Sequence, residues 1–344
     1  MRTVHVVVPP GLDDPRRPSG GNVYDRRLCA GLEAAGWTVH EHPVPSTRGA
    51  LAARLADLPA GATVLVDGLV PGACPDELLP HAGRLRLVVL LHLPLGVASD
   101  DPDVRAREAE VLGAARAVVT TSGWARLRLL ERYPLPVERV HVAEPGADVA
   151  TTAAGTGTGG RLLCVAALTP AKGHPVLLAA LAEVRDLPWT CDCVGSVDRD
   201  PGHARRLRDL SSDLGLTDRV RFTGPRTGPA LEASYAAADV LVHASRFESF
   251  GMVVTEALAH GLPVVATAVG AVPETLGSLP DGTRPGLLVR PDDPAALADA
   301  LRRWLSDASL RAHLRAVAGK RRADLPGWER TVERVGRVLS EVAA

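Results

Sequence analysis

Ser245-Arg246-Phe247-Glu248-Ser249-Phe250-Gly251-Met252-Val253-Val254-Thr255-Glu256 sets two carboxylates apart by seven residues that include an aromatic, a glycine and an apolar run. The stretch reads as a strand end, a tight turn and a helix start, the place where an α/β sheet receives a charged ligand. Gly251 permits close backbone approach, and the amides of Met252 and Val253 fall among the unpaired donors of a helix's first turn. Such donors favour a phosphate. Glu248 precedes the turn, whereas Glu256 lies more than one helical turn inside, so one ligand long enough to span the gap meets both carboxylates and the amides between them. A nucleoside diphosphate sugar has that length and those groups.

Outward from this stretch, short β-branched runs alternate with Ala/Leu/Arg helical stretches, the pattern of parallel sheets covered by helices on both faces. Strands are expected at 4–8, 38–40, 64–66, 87–91, 117–120 and 140–142, with helices at 23–35, 103–115 and 122–132 among them. The small, aperiodic run 151–160, rich in Thr and Gly, reads as a linker. After it the alternation restarts, with strands expected at 162–166, 190–194, 220–222, 240–242, 264–266 and 286–289. The expected architecture is α/β, with doubly wound domains at 1–150 and 161–327 facing a central cleft. A helix over 328–344 follows Pro326-Gly327 and is expected to pack back on the first domain.

A chain of 344 residues exceeds the size at which one core usually keeps growing, which also predicts two domains. The formal net charge of −1 gives no overall field for nucleic acid or an acidic membrane, so any phosphate site must be local. No apolar run reaches the roughly 20 residues of a membrane span, and the first strand lacks the layout of a signal peptide. The five cysteines, odd in number and mostly in apolar runs, argue for reduced thiols and a cytoplasmic protein. Cys191-Asp192-Cys193 lacks a second pair at zinc spacing, and no metal is expected. Asp101/Asp103 and Asp198/Asp200 read as carboxylates at helix starts rather than magnesium ligands.

Two further loops at strand ends suit anions or sugars. Pro18-Ser19-Gly20-Gly21-Asn22 follows the first strand and opens a helix. Leu168-Thr169-Pro170-Ala171-Lys172-Gly173-His174 follows the first strand of the second domain. Of 39 basic residues only Lys172 and Lys320 are lysine, and a compact ammonium suits a tight phosphate corner where the arginine fork does not. His92 ends the apolar run 88–91 and could face the cleft or sit as a satisfied core histidine; His5, His243 and His260 have weaker claims.

The segment from Glu248 to Glu256, with the following Ala257-Leu258-Ala259-His260-Gly261-Leu262-Pro263 and Gly270-Ala271-Val272-Pro273-Glu274, resembles the signature of retaining glycosyltransferases of the GT-B fold, family 4. Thr121-Ser122-Gly123-Trp124, Arg221-Phe222-Thr223-Gly224 and Ala237-Ala238-Asp239-Val240 extend the resemblance. It implies metal-independent transfer of a hexose from a nucleotide diphosphate sugar, a UDP-sugar before a GDP-sugar, to a hydroxyl of a small-molecule or glycan acceptor. By the same resemblance Glu256 holds the ribose. Glu248, with the backbone near Phe250 and Gly251, orients sugar hydroxyls, while Lys172 and the amides of Met252 and Val253 stabilise the departing diphosphate. His92 contacts the sugar, Gly20 and Gly21 lie beneath the phosphates or the acceptor, and the base lies near Gly224 and Arg226. No cofactor beyond the donor is implied.

One position departs from the family: an arginine is usual five residues before the lysine, and here that residue is Ala167; either Arg246 or Arg226 substitutes for it, or the site works with Lys172 and backbone alone. A sugar-nucleotide epimerase, a phosphorylase and a catalytically silent nucleotide-sugar-binding protein are the competing readings. The glutamate pair speaks against the first and the modest length against the second.

Overall fold

A computed structural model of the chain describes residues 2–45, 47–70 and 74–344. Among these residues, twelve strands form two six-stranded parallel sheets. The chain divides into two compact units: Met1–Asp13, Gly21–Gly146 and Gly327–Ala344 in the first, Asp14–Gly20 and Ala147–Pro326 in the second.

The first sheet comprises β1 (Arg2–Val8), β2 (Trp37–Pro43), β3 (Thr63–Asp67), β4 (Arg86–Leu91), β5 (Ala117–Thr120) and β6 (Val140–Val142), in the order β2-β1-β3-β4-β5-β6. Its interior strands are mostly apolar because helices cover both faces; every residue of β3 and β5 is buried, whereas the edge strand β2 is largely open. Leu55, Leu78, Leu87, Val89 and Leu112 fill one side of this sheet. The helix Trp328–Ala343 covers it elsewhere, with Val332 against Gly31 and the Thr331 hydroxyl donating to the Glu144 carbonyl at 2.6 Å.

The second sheet comprises β7 (Arg161–Val165), β8 (Thr190–Val194), β9 (Val220–Gly224), β10 (Val240–His243), β11 (Val264–Thr267) and β12 (Gly286–Val289), in the order β12-β11-β10-β7-β8-β9. Trp304, Leu177 and Leu181 are fully buried in its core, and the Trp304 indole donates to the Gly159 carbonyl at 2.8 Å. The run 151–160 has little regular structure, but it is fastened to the second unit by the buried Asp239. That carboxylate accepts from the Thr156 hydroxyl (2.6 Å) and the Arg161 amide (2.9 Å) and pairs with Arg315 at 2.8 Å.

Each sheet has a point where its strand order reverses: between β1 and β3 in the first, and between β7 and β10 in the second. Ligands of open α/β sheets bind at the carboxyl ends of the strands flanking such a reversal. Among the described residues no helix is long and apolar enough to cross a membrane.

Candidate active site

In the second unit the loops leaving β7 and β10, the strands that flank the reversal, are locked together by a glycine. After β7 a short turn, Pro170–Lys172, ends at Gly173 with φ of 66°, and a Cβ there would stand 1.9 Å from the Ala244 carbonyl oxygen. Only glycine lets the two loops approach so closely. The Arg246 amide then donates to the Ala171 carbonyl at 2.9 Å, which draws Lys172 over the end of β10.

The consequence is a pairing across 76 positions: Lys172 Nζ donates to Glu248 Oε1 at 2.6 Å. The Ser245 hydroxyl donates to the same oxygen at 2.8 Å, and His243 Nε2 lies 3.1 Å away at ion-pair distance. Glu248 is 9% exposed. Burial alone would raise its pKa, but the Lys172 ammonium and the His243 ring hold it far below the usual carboxylate range. Its backbone is fixed as well, since the Ala271 amide donates to the Glu248 carbonyl at 3.0 Å, beside Gly270.

Past Glu248, Phe250 is buried, its carbonyl accepts from the Thr275 hydroxyl at 2.6 Å, and Gly251 turns the chain with φ of 89°. The helix Met252–Ala259 starts there with no side-chain cap; the Val254 amide turns back to the Gly251 carbonyl at 2.9 Å, and the amides of Met252 and Val253 precede it at the helix start. Glu256 lies within this helix and accepts the Tyr235 hydroxyl at 2.6 Å; Tyr235 stacks on His260 with ring centroids 4.9 Å apart. Burial raises the Glu256 pKa, the Tyr235 hydrogen bond opposes it, and Glu232 adds to the rise. Tyr235→Phe removes this donor from a half-buried carboxylate, and a loss of about 1–3 kcal/mol of stability in urea unfolding is expected.

The remaining predicted residues are spread over both units. Gly224, with φ of 78°, ends β9, and Arg226 beyond it donates to the Ser234 hydroxyl at 2.8 Å. Arg246 pairs with Asp292 at 2.6 Å. Both arginines that could substitute at Ala167 are therefore engaged elsewhere. Gly20, in the second unit, lies beside Met252, where a Cβ would come 3.1 Å from the sulfur. Gly21 and His92 belong to the first unit, with a Cβ at Gly21 falling 3.3 Å from His92 Cδ2. His92 Nε2 donates to Asp25 Oδ1 at 2.8 Å and lies 3.9 Å from Asp67 Oδ2. Of the four carboxylates read as helix starts, two cap helices: Asp101 accepts from the Asp103 amide and Asp200 from the His203 amide.

Sequence reasoning ranked His243 below His92 and missed Ser245, Tyr235, Asp25 and Asp67. Ser245 and His243 carried a signal, lying within five residues of Glu248 at the end of the same strand run. Tyr235, Asp25 and Asp67 carried none, because only the tertiary fold brings them to their partners.

Comparison with known proteins places the chain in a family and a fold. The family of glycosyl transferases group 1 matches residues 159–307, which include every second-unit site residue named above except Gly20. A D-inositol 3-phosphate glycosyltransferase of Catenulispora acidiphila is 31% identical over 319 residues, covering 86% of this chain and 70% of its own length. The chain belongs to glycosyltransferase family 4. A D-inositol 3-phosphate glycosyltransferase of Salinispora tropica is 35% identical over 274 residues, 72% of this chain and 56% of the relative. The chain thus spans little more than half the length of several family 4 relatives it matches. Sucrose-phosphate synthase from Thermosynechococcus elongatus superposes with a TM-score of 0.83 at 24% identity, covering 99% of each chain. Anabaena HepE, solved in complex with UDP and glucose, superposes with a TM-score of 0.81 at 18% identity, covering 99% of this chain and 100% of HepE. These two likenesses concern the fold, which is GT-B with two Rossmann-like domains.

Proposed function

We propose that the protein is a retaining glycosyltransferase that moves a hexose from a nucleotide diphosphate sugar, a UDP-sugar before a GDP-sugar, to a hydroxyl of a small polar acceptor. The observation that carries the reading is the 2.6 Å Lys172–Glu248 pair at the strand-order reversal of the second unit. A nucleotide sugar needs an anion binder and a hydroxyl acceptor side by side only where phosphate meets sugar, and this pair supplies both.

In this reading Glu256 holds the ribose hydroxyls and the base lies near Gly224 and Arg226. Lys172 and the amides of Met252 and Val253 take the diphosphate, and Glu248, with the backbone of Phe250 and Gly251, orients the sugar. Gly20 and Gly21 leave room beneath the phosphates or the acceptor, and His92 serves the transferred sugar, as the family resemblance implies. As the anomeric C–O bond breaks, positive charge grows on the sugar ring and negative charge on the diphosphate, and pre-oriented donors stabilise that anion without solvent reorganisation. The acceptor oxygen bonds to the anomeric carbon from the face the diphosphate leaves, and its proton passes to a phosphate oxygen. No protein nucleophile and no metal is required by these steps. The names of the relatives put D-inositol 3-phosphate first among acceptors to try.

The test is incubation with UDP-, GDP- and ADP-hexoses, with and without an acceptor panel, followed by NMR of the sugar product. The expected result is nucleoside diphosphate release and a product with the donor's anomeric configuration. Inverted configuration would refute the retaining mechanism. An epimerised donor formed without acceptor would refute the transferase reading, and tight UDP binding without turnover on any acceptor would favour a silent binding protein.

A further inference from the structure

The reversal of the first sheet carries a cluster that the steps above leave unexplained. Asp25 comes from the helix Gly20–Ala34, Asp67 ends β3, and His92 follows β4. All three are nearly inaccessible, with side-chain exposures of 2%, 3% and 9%. His92 Nε2 donates to Asp25 Oδ1 at 2.8 Å and stands 3.9 Å from Asp67 Oδ2, while Asp67 Oδ1 accepts the Leu69 amide at 2.8 Å. Among the described residues Asp25 Oδ2 is buried with no hydrogen-bond partner. Two carboxylates buried this close to one another require a positive charge or a proton between them.

The ring is also confined sterically. Tyr24 packs its edge against the imidazole, with centroids 5.0 Å apart at 71°, and is itself anchored by donating to the Ala143 carbonyl at 2.9 Å and by an edge contact with Trp328. Gly21 closes another side. An isolated histidine contact with a sugar needs neither two buried carboxylates nor this degree of enclosure.

We propose that Asp25 and Asp67 are positioning residues that act through His92, fixing its ring in one orientation and in the doubly protonated form, so that it meets the sugar as a cation. The proposal rests on the reading that His92 serves the transferred hexose. Burial by itself would lower the His92 pKa, yet Asp25, by charge and hydrogen bond, and Asp67, by charge, outweigh it and hold the imidazolium up to about 9. Burial and the neighbouring Asp25 push Asp67 up to about 6, against the opposing pull of His92. His92 loses its imidazolium proton as pH rises through about 9. Among the described residues, Tyr24 and Cys29 on the same helix also interact with Asp25, and Arg334 on the helix Trp328–Ala343 acts on Tyr24. Burial lifts the Tyr24 hydroxyl and the Cys29 thiol far above the His92 value.

The experiment is NMR of the full chain labelled with 15N-histidine, with His92 assigned by His92→Gln, titrated from pH 5 to 10 in wild type, Asp25→Asn and Asp67→Asn. In wild type His92 is expected to stay protonated through pH 8. In Asp25→Asn its midpoint is expected to fall by about 1–3 pH units, the shift an adjacent opposite charge produces. The alkaline limb of kcat for donor turnover should fall by the same amount, with UDP affinity changed less than about two-fold; Asp67→Asn, a smaller version of the change, serves if Asp25→Asn does not fold. A wild-type midpoint near the ordinary 6.5, or no displacement in either variant, overturns the proposal. Micromolar zinc or magnesium perturbing His92 would overturn it in favour of a cation site. A displaced midpoint with an unmoved kcat profile shows a held ring that does not act on the sugar, and overturns the positioning role. Failure of wild type to bind UDP overturns the donor reading and the sugar role with it, while the NMR midpoint still decides whether the carboxylates hold the imidazolium.

Discussion

Lys172→Ala is expected to reduce sugar transfer by on the order of 10² to 10³, the usual loss when one group that stabilises a developing anion is removed. Lys172 bonds directly to Glu248, so the substitution has a second effect. The buried Glu248 keeps only Ser245 and His243, and its pKa climbs back toward the ordinary glutamate range. The sign of the resulting stability change follows from linkage. A carboxylate depressed in the folded state contributes stability above its unfolded pKa of 4.5 and loses it as pH falls. Wild type should therefore lose this contribution progressively as pH falls below 4.5, and the variant, which lacks it, should unfold at a higher pH when followed by circular dichroism. Lys172→Arg should fall between the two in transfer, because the guanidinium keeps the charge but spreads it over a wider planar fork. Wild-type turnover in Lys172→Ala would contradict the role assigned to it.

Gly270→Ala is expected to disable the site from the backbone side. Gly270 has φ of 52°, and a Cβ on it would stand 1.8 Å from the carbonyl oxygen of Glu248. The left-handed conformation alone costs an alanine about 1–2 kcal/mol. The overlap is with backbone, so Glu248 or the turn must also move. At about 2–4 °C per kcal/mol for a domain of this size, a fall in Tm of at least about 4 °C is expected. Displacement of a substrate-orienting carboxylate by about 1 Å can cost on the order of 10² in rate. Gly282→Ala is the control: φ there is 84°, but among the described residues no atom beyond its chain neighbours lies within 4 Å of the added carbon, so it carries the conformational cost without the clash. Melting curves and transfer rates of the two variants separate strain from displacement, and an equal response would contradict the account of Gly270.

The strands were legible because parallel strands covered on both faces must be apolar throughout, and runs such as 64–66 and 240–242 are bounded by polar or turn residues. The order of the strands was not legible, since nothing in β7 or β10 specifies that they become neighbours across a reversal. Glu248, Gly251 and Glu256 stand out because strand end, turn and helix are contiguous in the chain. Lys172 stands out only by its rarity among arginines, and its pairing with Glu248 depends on the close approach that Gly173 allows. The Asp25–His92–Asp67 cluster escaped reading for the same reason on a larger scale. Its members come from three separate elements, and alone each is an ordinary polar residue near the end of a strand or in a helix.

Thermal unfolding with UDP and with uridine, for wild type and Lys172→Ala, tests most directly whether the second unit holds a nucleoside diphosphate at its strand reversal. A ligand bound only by the folded protein stabilises it by about 2.7 kcal/mol at one hundred times its Kd. The account predicts a clear rise in wild-type Tm with UDP, a much smaller one with uridine, and loss of most of the UDP shift in Lys172→Ala. No shift with any nucleoside diphosphate, or an undiminished UDP shift in Lys172→Ala, would contradict it.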